Sequence, residues 1–110
     1  MHELTPPTNV PTPGFYYHYK HNPEDPRGIH NYAYEVLGVG HHTEDGSFFV
    51  IYRPLYDWAL VYTLGKMFDV RPLEMFMEEV TKDGVTFPRF TKIEDEEVLA
   101  ALAQKAREMY

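Results

Sequence analysis

The chain has 110 residues, no cysteine and a net charge of −7, with 44% hydrophobic and 15% aromatic residues. That length holds one domain around one core, and the missing cysteines exclude disulfides, thiolate metal sites and a cysteine nucleophile. The acidic balance, with no long basic stripe, disfavours unassisted binding to a nucleic-acid backbone.

Nine prolines and seven glycines predict short elements joined by many turns, and the tyrosines and phenylalanines suit strands. Residues 1–13 are a Pro/Thr-rich arm, expected to be extended and flexible. Phe15 to Lys20 reads as the first strand, with Phe15, Tyr17 and Tyr19 on one side. His21 to Asn31 is a loop built on Asn22-Pro23, Asp25-Pro26 and Arg27-Gly28.

Tyr32 to Gly40 forms the next strand, in which Gly38 and Gly40 predict a bulge or a tight bend. Glu44-Asp45-Gly46 turns the chain into Phe48 to Arg53, a strand apolar on both faces until Arg53. Trp58 to Thr63 and Met67 to Arg71 read as two further strands around Leu64-Gly65-Lys66.

Pro72 fits the first position of a short helix ending near Met77. Glu79 to Thr81 and Val85 to Phe87 flank the hairpin turn Lys82-Asp83-Gly84, and Pro88-Arg89-Phe90 closes the sheet. Thr91-Lys92-Ile93-Glu94 matches a capping box for a helix over residues 94–110. Val98, Leu99, Leu102 and Ala106 give that helix one apolar stripe, which covers the domain's own sheet or docks on a second copy.

Many short strands and one helix predict a mainly β protein: a small antiparallel barrel or strongly coiled sheet with a C-terminal α-helix. The first residues lack the basic and apolar regions of a signal peptide, and no apolar run is long enough to span a bilayer. A soluble cytoplasmic protein with no membrane partner is expected.

The ordered blocks Gly14-Phe15-Tyr16, His18-Tyr19-Lys20, Tyr34-Glu35-Val36-Leu37-Gly38-Val39 and His42 resemble a bacterial family catalogued as domain of unknown function 1653. The resemblance continues through Val50, Tyr52-Arg53, Leu55-Tyr56, the run Val70 to Phe76 and Pro88-Arg89-Phe90, covering residues 14 to 93. It implies a small SH3-like barrel over 14–93 and brings no activity with it. Tyr17 stands where the family often has arginine, and Asp69 where it often has tryptophan.

Two arginines end apolar runs, Arg53 before Pro54 and Arg71 before Pro72. A guanidinium beside large apolar side chains needs partners. Either each pairs with an internal carboxylate such as Glu35 or Glu74, or both face a ligand in a cleft with Tyr34, Tyr52 and His42 at its edge. Six histidines without cysteines offer a weaker metal reading, centred on His18 and His42, and no helical metal motif is present.

Ser47 is the only serine and no nucleophile or phosphate-loop signature surrounds it. The expectation is therefore a non-enzymatic binding or interaction module with no cofactor. Its ligand is a small molecule, peptide or protein, and its candidate residues are Tyr34, His42, Tyr52, Arg53 and Arg71. A nucleotide- or RNA-binding domain is the alternative, and a metal-dependent enzyme the third.

Overall fold

A computed structural model describes residues 7–110. The first six residues of the expected arm lie outside this range. Of the rest of the arm, Pro11 is buried and the Thr12 carbonyl accepts a hydrogen bond from the Tyr16 hydroxyl at 2.8 Å.

The strands are β1 (Gly14–His18), β2 (Ala33–His41), β3 (Phe48–Pro54), β4 (Asp69–Pro72), β5 (Glu79–Lys82), β6 (Val85–Pro88) and β7 (Phe90–Lys92). The helices are α1 (Leu60–Thr63), α2 (Leu73–Phe76) and α3 (Glu96–Met109). Five strands pair antiparallel in the order β4-β3-β2-β1-β7, and β5-β6 form a separate hairpin. The protein is thus β-rich with antiparallel sheets and a C-terminal helix. Its main sheet ends at β4 and β7, and among the described residues these edges do not pair into a closed barrel.

Register assigns the two faces, because residues directly opposite in an antiparallel pair project to the same side. Tyr16 faces Tyr34, Val36 faces Tyr52, Tyr52 faces Asp69, Val50 faces Arg71 and His18 faces Phe90. These residues make one aromatic face. Its core holds Tyr16, Val36, Val50, Tyr52, Phe76 and Phe90, with Phe76 from α2 stacked on Phe90 at 4.1 Å between centroids. The other face carries Ala33, Glu35 and Arg53, and α3 covers part of it: Leu102 is fully buried against Ala33, Leu55 and Ile93.

The expected bulge is present, since the β2–β3 register slips between Val36 and Gly38 and leaves Leu37 unpaired. The hairpin turn narrows to Asp83-Gly84, with φ of 52° and 77°, the left-handed pair that a two-residue turn requires. The stripe of α3 packs on the chain's own sheet through Val98, Leu99, Leu102 and Ala106.

Two expectations need correction. Trp58 to Thr63 is not a strand: Leu60–Thr63 forms a single helical turn that leaves Leu60 and Leu64 exposed. Its apolar run resembles a strand, but the Thr63 hydroxyl donates to the Leu60 carbonyl and Gly65 breaks the chain immediately afterwards. The capping box also fails. Thr91 and Lys92 pair with β1, so the helix starts later, at Asp95, whose carboxylate accepts from the Val98 N–H at 3.0 Å.

Candidate functional site

The long loop between β1 and β2 delivers its last residues to the aromatic face. Asn31, 1% exposed, anchors it: its amide donates to the Asn22 and Gly28 carbonyls, both at 2.8 Å, and its oxygen accepts from the Asn22 N–H at 2.9 Å. Tyr32 then adopts φ 52° before β2 begins. A bulky residue in the left-handed region is strained, and such strain persists only when the surroundings fix it. Its ring lies 5.7 Å from His18 and 5.8 Å from Tyr56.

Around these rings the aromatic face gathers its polar groups. The Tyr34 and Tyr56 hydroxyls meet at 2.5 Å, and Tyr34 packs edge-on to Tyr52 at 5.3 Å and to Phe90 at 5.9 Å. Arg71 donates its Nε–H to the Tyr52 hydroxyl at 3.1 Å, and its guanidinium carbon lies 5.6 Å from the Phe90 centroid. Among the described residues no carboxylate lies within ion-pair distance of Arg71.

Burial raises the pKa of Tyr34, Tyr52 and Tyr56 above the ordinary phenol value, so all three are neutral hydroxyls at physiological pH. Burial likewise raises Asp69, beside Tyr52, while Arg71 pulls it the other way.

His18 stands at the opposite end from Asp69. Its ring is held between Tyr19 at 4.5 Å and Phe90 at 5.1 Å, and its Nδ1 accepts from the Lys20 N–H at 3.1 Å. Burial first, then the positive charges of Arg71, Lys20 and Arg89, push its pKa down to about 4. The ring is therefore neutral near pH 7. With Nδ1 accepting, its proton sits on Nε2, a donor position.

The five residues expected to form one cleft separate. Tyr34, Tyr52 and Arg71 come together on the aromatic face. Arg53 lies on the opposite face, opposite Glu35 in register, where Nε and Nη2 donate to one Glu35 oxygen at 2.9 and 2.8 Å. Its guanidinium also lies 4.0 Å over the Tyr110 ring, and the Tyr110 hydroxyl donates to the Pro54 carbonyl at 2.6 Å. Arg53 thus locks the end of α3 to the sheet, and burial pushes the Tyr110 hydroxyl up to about 12.

His42 is exposed just beyond the end of β2. It accepts from the Glu44 and Asp45 N–H groups and lines a shallow hollow of about 240 Å³ with Gly40, Phe49, Ile51 and Val70, away from the tyrosines. His18 and His42 do not converge, and among the described residues no three His, Asp or Glu side chains gather as metal ligands.

Sequence reasoning passed over Tyr32, Arg89 and Phe90 as site residues. Arg89 follows Pro88 and looks like an isolated surface charge. In the fold its Nη2 approaches Glu78 at 3.4 Å, while its Nε is buried with no hydrogen-bond partner among the described residues. The one available signal was His18 at the end of a strand whose partner carries Phe90.

A family model described as a protein of unknown function (DUF1653) matches residues 14–92. The chain belongs to this family. The match takes in the whole of the aromatic face from β1 to β7, and leaves α3 outside it. No curated protein and no solved structure matches the chain. Among the described residues of this DUF1653 protein, no helix is long and apolar enough to cross a membrane.

Proposed function

We propose that this DUF1653 chain is a non-enzymatic binding module of the bacterial cytoplasm, built on an SH3-like sheet left open between its two edge strands. Its ligand site is the aromatic face around Tyr34, Tyr52 and Arg71. The observation that carries this reading is the contrast between the two arginines. Arg53 has a carboxylate and an aromatic ring at 4.0 Å as partners, whereas among the described residues Arg71 has one phenol hydroxyl, the Phe90 ring at 5.6 Å and no carboxylate. A guanidinium with unused donors beside flat rings suits a ligand that offers acceptors and a planar group.

An amide-shift NMR titration with nucleotides, short RNA, zinc and mixed peptides tests the reading. Shifts that saturate and map to Tyr34, Tyr52 and Arg71 support it. Shifts confined to the surroundings of Arg53 or His42 would place the site on the other face, and the proposal fails.

A further inference from the structure

In a protein of net charge −7, Arg71 and His18 both lie against the Phe90 ring, at 5.6 and 5.1 Å from its centroid, and Arg89 precedes Phe90 in the chain. Arg71, Arg89 and Lys20 all act on His18, and among the described residues Glu78 is the single carboxylate within ion-pair distance of any of them, reaching only Arg89 at 3.4 Å. Like charges gathered in a half-buried site repel one another, and the repulsion is screened less there than at the open surface.

Two further observations give the corner the character of a seat. The Nε of Arg89 is enclosed yet unpartnered, which leaves a charged donor desolvated with nothing to receive it. Tyr32, held at φ 52°, sets its ring beside His18 at the mouth of the same corner. The groups around Phe90 here are donors: the Arg71 guanidinium and the His18 Nε2–H lie against its ring, and the Arg89 Nε–H belongs to the residue before it. Asp69 shares the face two residues before Arg71 on β4, yet among the described residues it is not within ion-pair distance of Arg71.

We propose that this corner binds a phosphate monoester carried on a planar ring, with the phosphate on Arg71 and Arg89 beside His18 and the ring against Tyr32. This deepens the binding-module reading and rests on it. A phosphate monoester carries about −1.5 to −2 at neutral pH and three acceptor oxygens, which matches several convergent donors better than a carboxylate's single charge. A planar group beside the ester would exchange water for the face of Tyr32.

The test is a titration of the full chain with phenyl phosphate, benzoate and p-cresol, read on arginine side-chain Nε–Hε and backbone amide resonances. Phenyl phosphate is expected to shift Arg71 and Arg89 with saturation, at least tenfold more tightly than benzoate, leaving Arg107 on α3 unmoved. Arg71→Gln should abolish those shifts and Arg107→Gln should not. If Arg71→Gln loses its native spectrum, Arg89→Gln serves in its place.

If p-cresol shifts Tyr34 and Tyr52 while phenyl phosphate leaves both arginines still, the phosphate seat is overturned and the aromatic binding face stands. Equal affinity for benzoate overturns the phosphate assignment, as does an unsaturating drift that includes Arg107. If no compound moves the face, both readings fall.

Discussion

Replacing Asn31 by alanine should remove the buried polar side chain that anchors the loop between β1 and β2. Asn31 is 1% exposed and uses both amide hydrogens and its oxygen, on Asn22 and Gly28. Each such bond contributes about 1 kcal/mol net, so the loss is about 3 kcal/mol, more if the Asn22 N–H stays dry. An unfolding entropy of about 2.1 cal/mol/K per residue makes that a fall in Tm of about 13 °C for a chain of this length.

Asn31→Asp is a sharper version. It keeps the acceptor for the Asn22 N–H but sets a carboxylate against two carbonyls, which raises the folded pKa above the unfolded one. Stability is then retained at pH below the unfolded carboxyl value and lost as pH rises through the folded value. Thermal unfolding followed by circular dichroism at pH 4 and pH 7 measures both variants. A fall of less than about 4 °C for Asn31→Ala would mean the loop is held by something other than this network.

Leu102→Ala should cost about 3–5 kcal/mol in chemical denaturation, because a fully buried side chain leaves a cavity between α3 and the sheet. Truncation after Ile93 should abolish cooperative unfolding, since it uncovers Ala33, Leu55 and Ile93; a folded truncated domain would contradict the packing of α3. Arg53→Met should destabilise more than Glu35→Gln, because it breaks the ion pair and also the stacking on Tyr110; equal effects in denaturant titration would leave the stacking without weight.

His18 titrates near 4 in the folded chain and near 6.5 when unfolded, so the unfolded chain binds the extra proton between those values. Stability should be full above pH 6.5 and fall as the pH drops towards 4, and His18→Gln should flatten the slope between pH 6.5 and 5. An unchanged slope would mean that His18 is not shielded by Phe90 and its cationic neighbours.

The arginines illustrate how far sequence reaches. That each would need a partner follows from its chemistry, and Glu35 was among the carboxylates named for that role. Which face each would occupy was not legible, because Arg53 lies on β3 and Arg71 on β4. Val50 lies opposite Arg71 and Glu35 opposite Arg53. Val50 and Arg53 are an odd number of residues apart on one strand, so they point to opposite sides of the sheet. A cleft drawn through both arginines was therefore undone by register, which depends on turn lengths and on the slip at Leu37.

Local signals carried most of the elements: dense aromatic and apolar runs for β1 to β3, Asp83-Gly84 for the hairpin, and the apolar stripe for α3. Each depends on residues a few positions apart, and the chain's own chemistry fixes them. Leu60–Thr63 and the start at Asp95 escaped because neighbouring contacts there outweigh local preference.

By itself, the sequence determined that this is a small acidic β-rich domain with one terminal helix and two arginines in need of partners. Tertiary structure alone decided that Arg53 is a lock and that Arg71 and His18 share the Phe90 ring beside the tyrosines. The reason is physical. Burial and partner count belong to the space between strands, and residues 18, 32, 71 and 90 become neighbours only when the sheet assembles.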